Sequence, residues 1–251
     1  MNDIWDAIVL GGGNGRRFSQ QSLNHAPKQF QELLGQPVLV HSVQRLLKLG
    51  CFRSVIITVP KDQFAEATRI LQKALTPEWF NKVQIIEGGK TRQESSFLAL
   101  KALDSSVPQP SRVIIHDACR PALTDELLHR VQERLADRAY AAWIPVTPVV
   151  ETLKKVEGMA VTETVNRDLY YRVQTPQVFE YHVIRSLIEK AMAAPETAMQ
   201  FTDDASLCEF YGIPVGVFEG DARNIKLTYD FEIDILSSVM RSEAISGEIC
   251  E

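Results

Sequence analysis

Short apolar runs alternate with longer amphipathic stretches over much of the chain. Runs typical of strands buried in a parallel sheet lie at 7–10, 54–60, 83–86, 112–117 and 140–146. Between them, apolar residues recur every three or four positions at 36–50, 64–75, 91–103 and 124–136, a spacing typical of helices packed on one face. This alternation predicts a parallel sheet with helices on both faces.

The pattern changes between about 147 and 180. Two short β-prone runs on either side of Glu157 and Gly158 predict a hairpin with little apolar surface, which we expect to project and pack against something else. The rest of the chain predicts a helix from Tyr181 to Ala193, a helix capped by Thr202, strands at 215–220 and 224–228, and a last helix from about Tyr229. The polar stretches 104–111 and 193–200 are predicted surface loops.

The first apolar run ends in a glycine-rich loop. Gly11, Gly12 and Gly13 carry no Cβ, so main-chain N–H groups there can approach phosphates closely, and Arg17 and Lys28 add two positive charges. The combination predicts a triphosphate-binding loop. No GxxxxGK[ST] motif is present, which excludes a Walker A loop. The alternative is a glycine-rich turn with solvated arginines.

Two further polar clusters follow predicted strands. Gly88–Arg92 and Asp117–Arg120 would meet the glycine loop at the carboxyl edge of the sheet, where ligands bind in such folds. His116, inside its strand, is predicted to be structural. Asp203 and Asp204 could form a metal pair, but acids in the first turn of a helix are more often dipole partners, which is our prediction.

Composition narrows the functional class. The chain has 251 residues, 45% of them hydrophobic and 24% charged, and a net charge of -5, which argues against a nucleic-acid-binding surface but allows a local basic pocket. Four scattered cysteines without metal-ligand spacing favour a reducing compartment. No run is long enough for a membrane span, and early acidic residues do not suit a signal peptide. We therefore expect a cytoplasmic protein.

Seven motifs in order make the chain similar to the 2-C-methyl-D-erythritol 4-phosphate cytidylyltransferase family and its close relative, the ribitol-5-phosphate cytidylyltransferases. They are GGGNGRR, PKQF, EGGKTRQESS, HDACRP, NRDLYYRVQTPQ, FTDDASLCEFYG and DARNIKLT. The resemblance implies an α/β fold, a Rossmann-like three-layer α/β/α sandwich with a mostly parallel sheet. It also implies one nucleotidyltransferase domain over 1–251, with a projecting β-arm at about 148–172 that builds a homodimer.

The resemblance further implies an activity: transfer of a cytidylyl group from CTP to the phosphate of 2-C-methyl-D-erythritol 4-phosphate. Pyrophosphate is released, Mg²⁺ is the cofactor, and the product enters non-mevalonate isoprenoid synthesis. The acceptor phosphate is already ionised near neutral pH, so an activated Ser or Cys nucleophile is not required. Positioning and charge stabilisation remain for the protein to supply.

Residue by residue, the resemblance assigns Arg17 and Lys28 to transition-state stabilisation. It places five residues around the nucleotide: Gly11, Gly12, Gly13, Gly89 and Ser95. It places five around the sugar phosphate: Asp117, Arg120, Arg167, Thr202 and Lys226. Arg167 directly follows the hairpin and would serve the partner's site in a dimer. The metal ligands are not assigned.

Three alternatives stay open at this point. The Leu-Gly-Gly-Gly loop leans towards the ribitol enzymes, whereas Ala118 in HDACRP favours methylerythritol phosphate, which we prefer. A dinucleotide-dependent oxidoreductase would need a small residue in place of Arg16 and an acid after the second strand, which ends at Val59 and Pro60. A non-catalytic nucleotide-binding module is disfavoured by the presence of Arg17, Lys28 and Lys226.

Overall fold

The computed structural model describes residues 3–12, 27–194 and 201–248. Its strands are β1 (Trp5–Leu10), β2 (Glu32–Leu33), β3 (Gln36–Pro37), β4 (Phe52–Val59), β5 (Val83–Glu87), β6 (Arg112–Asp117), β7 (Ala142–Pro148), β8 (Lys154–Glu157), β9 (Ala160–Thr164), β10 (Tyr171–Val173), β11 (Gln177–Glu180) and β12 (Val215–Glu219). Its α-helices are α1 (Val38–Lys48), α2 (Phe64–Ala74), α3 (Pro77–Phe80), α4 (Arg92–Ala102), α5 (Asp125–Ala136), α6 (Tyr181–Ala193), α7 (Ala205–Phe210) and α8 (Glu232–Glu248).

The main sheet has the strand order β10-β7-β11-β6-β1-β4-β5, with β12 beside β7. Strands β6, β1, β4 and β5 run parallel to one another, and β12 is parallel to β7. Strands β10 and β11 are antiparallel to their neighbours. The sequence did not predict β11, because four residues behind Pro176 are too short to show a periodicity.

Helices cover both faces of the sheet, as β1 illustrates. Ala7 and Val9 pack with apolar residues of α1, α2 and α5, while Ile8 and Leu10 pack with residues of α4, α6 and α7. Successive strand residues point to opposite faces, so the continuous apolar run of β1 supplies both cores at once. The predicted three-layer α/β/α sandwich with a mostly parallel sheet is confirmed.

Capping residues and a glycine in the sequence predicted several helix ends correctly. The Thr91 and Thr124 hydroxyls accept hydrogen bonds from the main-chain N–H groups of Glu94 and Leu127, which caps α4 and α5. Gly50 follows α1 with a φ of 73°, a left-handed conformation that favours glycine at a helix end.

Three local predictions were wrong. Residues 224–228 form no strand: this segment is held instead by single bonds, such as that from the Leu227 N–H to the Cys119 carbonyl. Helix α8 begins at Glu232 rather than near Tyr229, whose N–H donates to the Glu232 carboxylate. Thr202 does not cap helix α7: the N-cap position is Asp204, and Asp203 before it accepts from the Ser206 N–H.

The predicted hairpin is present as β8 and β9. Its strands pair only with each other, and Gly158 provides the turn with a φ of 62°. Every residue of both strands is exposed, including Val156 and Val161, and so is Met159 in the turn. No helix among the described residues has the length and apolar character needed to cross a membrane.

Candidate active site

Four parallel strands bring the predicted site residues to one edge of the sheet. Gly11 and Gly12 follow β1, Gly88 and Gly89 follow β5, and Asp117 ends β6. Because β1, β4, β5 and β6 all point the same way, these positions share a mouth, as the sequence predicted.

Gly11 serves the packing of the sheet. Its N–H donates to the Thr58 carbonyl at 2.8 Å, and a Cβ at Gly11 would lie 2.8 Å from that same oxygen. The Gly11 N–H is therefore not free for a phosphate, which departs from the predicted use of this glycine. Among the described residues, a Cβ at Gly12 would meet the Ser95 hydroxyl, at an ordinary 3.5 Å.

Ser95 ties the second glycine loop to α4. Its hydroxyl accepts from the Gly89 N–H at 3.0 Å and donates to the Thr91 carbonyl at 3.0 Å. Glu94 reaches back to accept from the Lys90 N–H at 2.7 Å, and a Cβ at Gly89 would overlap the Glu94 side chain. Three predicted nucleotide residues, Gly12, Gly89 and Ser95, thus lie together.

Two cavities open at this edge. The smaller, about 190 Å³, is lined by Gly11, Gly12, Lys28 and Cys119 among others. The larger, about 340 Å³, is lined by residues that include Arg120, Thr175, Gln177, Thr202 and Asp203. Three residues line both cavities: Arg92, Asp117 and Lys226. We call these three the shared wall.

Asp117 is the centre of the shared wall. Its Oδ2 lies 2.7 Å from Lys226 Nζ and 3.8 Å from Arg120 Nε, and its Oδ1 lies 3.3 Å from Arg92 Nε. Burial alone would raise the pKa of this carboxyl, but the charges of Arg92, Lys226 and Arg120 outweigh burial and hold the pKa well below its usual range. Asp117 is therefore ionised at neutral pH.

Arg120 is anchored by main-chain carbonyls. Its Nη1 donates to the Asn224 carbonyl at 2.8 Å, and its Nη2 lies 3.5 Å from the Val173 carbonyl. Burial lowers the pKa of this guanidinium, but arginine remains charged at any physiological pH. The contact with Asn224 also holds the segment that carries Lys226.

His116 lies behind Asp117 and is fully buried. Burial lowers its pKa to about 4, so the ring is neutral at physiological pH. Its nitrogens contact the Thr175 hydroxyl and the Arg120 carbonyl. These contacts give His116 the structural role that the sequence predicted.

Arg167 lies apart from both cavities. It begins a 3₁₀ turn (Arg167–Leu169) after the hairpin, is exposed, and donates from Nη1 to the Val150 carbonyl. Gly13 and Arg17, the other predicted site residues absent from this geometry, lie outside the described residues.

The family model "IspD: 2-C-methyl-D-erythritol 4-phosphate cytidylyltransferase" matches residues 6–242. The chain belongs to the IspD family.

Relatives of the IspD family support the assignment. A bifunctional IspD/IspF enzyme of Rhizobium etli is 36% identical over 96% of this chain, which spans only 58% of that protein. A 2-C-methyl-D-erythritol 4-phosphate cytidylyltransferase of Aquifex aeolicus is 34% identical over 96% of this chain and 99% of the relative. The crystal structure of 4-diphosphocytidyl-2C-methyl-D-erythritol synthase from Anaerococcus prevotii superimposes with a TM-score of 0.76 at 30% identity, covering 95% of this chain and 99% of that one.

Sequence reasoning assigned no role to Arg92, which the structure places at the centre of this IspD-family site. Arg92 contacts Asp117 on one side and Asp204 on the other, where Nη1 lies 2.6 Å from Oδ2. Burial opposes its charge, but Asp204 and Asp117 outweigh burial and hold its pKa above the ordinary value. One signal was available in the sequence: a cation in the first turn of α4 opposes the helix dipole, so it needs another reason to be there.

The acidic pair does not form a metal site in this geometry. Asp204 faces Arg92, and Asp203 accepts from Gln177 Nε2 at 2.7 Å and from the Ser206 N–H at 3.0 Å. Throughout residues 3–12, 27–194 and 201–248, no three His, Cys, Asp or Glu side chains converge as metal ligands.

Proposed function

We propose that the chain transfers a cytidylyl group from CTP to the phosphate of 2-C-methyl-D-erythritol 4-phosphate and releases pyrophosphate, in non-mevalonate isoprenoid precursor synthesis. The observation that carries this proposal is the shared wall of Arg92, Asp117 and Lys226 between two adjoining cavities. Two adjoining cavities that share two cations suit transfer between two anionic substrates, because the enzyme must position both and stabilise the charge that develops between them. Membership of the IspD family supports the identity of both substrates.

The smaller cavity would take the nucleotide. Gly12 lines this cavity, and Ser95 lies next to Gly12 and Gly89. The Gly89 N–H and the Ser95 hydroxyl already bond each other and Thr91, so these two residues would shape the space around the base. Lys28 lines this cavity and would meet the triphosphate, with Arg17 expected from the sequence to join it. Two cations at the α-phosphate stabilise the charge that accumulates there during transfer.

The larger cavity would take the polyol phosphate. Asp117, ionised at neutral pH, would accept hydrogen bonds from hydroxyl groups of the polyol. Arg120, Thr202 and Lys226 would bind the phosphate and the other polar groups of the acceptor. A phosphate oxygen of the acceptor then attacks the α-phosphorus. One P–O bond forms, the bond to the β-phosphate breaks, and its electron pair leaves with pyrophosphate.

Magnesium would arrive with the triphosphate. Mg²⁺ prefers phosphate oxygens and water to an all-protein cage, and the described residues hold no cluster of metal ligands. Asp117, which lines both cavities, would be the carboxylate beside the ion. The ion would supply neutralisation of the triphosphate charge.

We also propose a homodimer with composite sites. The β8–β9 hairpin exposes Val156 and Val161 on strands that pair only with each other. Arg167 follows the hairpin, is exposed, and lies outside both cavities of its own chain. A partner subunit that covers the hairpin would receive Arg167 at its own acceptor site.

We also propose that the protein is cytoplasmic. Cys51, Cys119 and Cys208 are free thiols, as a reducing compartment maintains.

Pyrophosphate release tests the proposed function. The full chain is assayed with CTP and Mg²⁺, with 2-C-methyl-D-erythritol 4-phosphate and ribitol 5-phosphate in parallel. We expect a strong signal with the first acceptor. A signal confined to ribitol 5-phosphate would move the enzyme to polyol activation, and CTP binding without any release would favour a non-catalytic module.

A further inference from the structure

Asp204 is buried behind the larger cavity and does not line it. Its side chain is about 1% exposed, and it stands at the N-cap position of α7 without bonding the helix backbone. The nearest cation is Arg92, whose Nη1 lies 2.6 Å from Asp204 Oδ2. Burial raises the pKa of the Asp204 carboxyl and the charge of Arg92 opposes that rise, so the ionised form of Asp204 depends on Arg92.

Arg92 is held between two unequal carboxylates. Its contact with Asp204 is short, at 2.6 Å, whereas its Nε lies 3.3 Å from Asp117 Oδ1. An arginine fork pairs best with both oxygens of one carboxylate at once. Asp204 therefore holds the guanidinium away from such a pairing with Asp117.

The two oxygens of Asp117 consequently differ. Oδ2 accepts from Lys226 at 2.7 Å, while the described contact of Oδ1 is the long one to Arg92. Oδ1 retains capacity for a further donor such as a hydroxyl group. Asp204 also affects the charge around Asp117. Three cations surround Asp117, and the negative charge of Asp204 offsets that of Arg92.

We propose that Asp204 is a positioning residue, which acts through Arg92 to keep Asp117 Oδ1 available for a hydroxyl group of the acceptor. This rests on the proposed function for the identity of the acceptor. Without the Asp204 charge, the Arg92 fork turns onto Asp117, occupies both oxygens and closes the acceptor cavity on that side. The nucleotide side keeps its glycine loops and Lys28.

The test is Asp204→Asn in the full chain, which removes the charge with little change in size. We expect the KM for 2-C-methyl-D-erythritol 4-phosphate to rise about tenfold, the worth of a hydrogen bond to a charged group. The KM for CTP should change less than about twofold. Equal rises in both constants, or no rise in either, would overturn the proposal.

Asp104→Asn is the matched control. Asp104 pairs with Arg185 at 2.8 Å on the same side of the sheet, outside both cavities. We expect this variant to lose stability with both Michaelis constants unchanged. A rise in the acceptor KM as large as that of Asp204→Asn would mean that any lost ion pair has this effect.

A double-mutant cycle separates positioning from simple structural support. Arg92→Gln removes the group through which Asp204 acts, so adding Asp204→Asn should raise the acceptor KM no further. If the two substitutions raise the acceptor KM by factors that multiply in the double variant, the proposal is contradicted. If Asp204→Asn folds poorly, Asp204→Ser provides a second route: serine suits the N-cap position and carries no charge, so the acceptor-specific rise should reappear.

A crystal structure of Asp204→Asn without substrate gives an outcome independent of activity. We expect both Asp117 oxygens to lie within hydrogen-bond distance of the Arg92 guanidinium. An unmoved guanidinium overturns the positioning role whatever the enzyme catalyses. A wild-type protein inactive with 2-C-methyl-D-erythritol 4-phosphate would instead overturn the proposed function.

Discussion

The Thr175 hydroxyl lies 3.0 Å from His116 Nδ1 and also 3.0 Å from the Asp117 main-chain nitrogen. Because an N–H can only donate, Thr175 accepts from Asp117 and gives its own proton to His116 Nδ1. The ring proton of the neutral imidazole is then on Nε2, which donates to the Arg120 carbonyl at 3.2 Å. This chain of bonds joins the loop between β10 and β11 to the segment that carries Asp117 and Arg120.

Replacing Thr175 tests this chain of bonds. Thr175→Val keeps the shape but leaves a buried N–H and a buried ring nitrogen unpartnered, so the free energy of unfolding should fall by about 2 kcal/mol. Thr175→Ser keeps the hydroxyl and should lose less. Urea denaturation of the three proteins measures the difference, and equal losses in both variants would contradict the assigned bonds.

His116 should make stability depend on pH. In the unfolded chain it takes up a proton near its ordinary pKa of 6.5, whereas burial lowers the folded pKa to about 4. Between these values the unfolded state binds more protons, so stability falls as the pH falls, by up to about 1.4 kcal/mol per pH unit. Asp117, which faces the ring together with Arg120 and Lys226, has a depressed pKa and titrates below this window.

His116→Gln provides the comparison for this pH effect. Denaturation midpoints followed from about pH 7.5 to about pH 5 should fall less steeply in the variant than in the wild type. Parallel pH dependences in the two proteins would assign the effect to other groups.

The first two glycines of the loop should respond differently to alanine. Gly11→Ala would press a Cβ to 2.8 Å from the Thr58 carbonyl, so we expect a loss of about 2 kcal/mol in unfolding free energy. In the described part of the chain, the Cβ of Gly12→Ala would meet the Ser95 hydroxyl at 3.5 Å, so this variant should keep its stability while the KM for CTP rises. Denaturation and CTP titration distinguish them; an unstable Gly12→Ala would give that glycine a structural role too.

The strands and helices were largely predictable because their signals are local. The buried run of β1 and the caps at Thr91 and Thr124 each act through neighbours in sequence. The pairing of Arg92 with Asp204 was not predictable, because it joins residues far apart in the chain across the end of the sheet. The strand predicted around Lys226 was wrong for the same reason. Its β-prone residues form hydrogen bonds to Cys119 and Thr175 instead of pairing with a strand.

Lys28 should affect turnover more than folding. Lys28→Ala removes a cation from the smaller cavity, and we expect kcat to fall about 100- to 1000-fold with little change in stability. The sequence predicts the same for Arg17→Ala. Lys61→Ala, on an exposed 3₁₀ turn, is the control that should leave turnover unchanged. Near-normal turnover in Lys28→Ala would remove this residue from the mechanism.

Replacing Arg167 should raise the KM for the acceptor, and the affected active site should be that of the partner subunit. Arg167→Ala alone should raise the KM for the sugar phosphate more than that for CTP, because the side chain is expected to grip the acceptor phosphate. Equal effects on both constants would mean that another group holds this phosphate.

Mixing two impaired variants tests whether Arg167 serves the partner subunit. In a hybrid of Lys28→Ala and Arg167→Ala subunits, one composite site carries both changes and the other carries neither. After random exchange, about a quarter of the sites should be intact, and activity should return to that level. If Arg167 served its own chain, every site in the hybrid would carry one change, and mixing would restore nothing. Recovery would therefore establish both the dimer and the exchange of Arg167 between subunits. We expect this result because the hairpin is exposed and Arg167 lines neither cavity of its own chain.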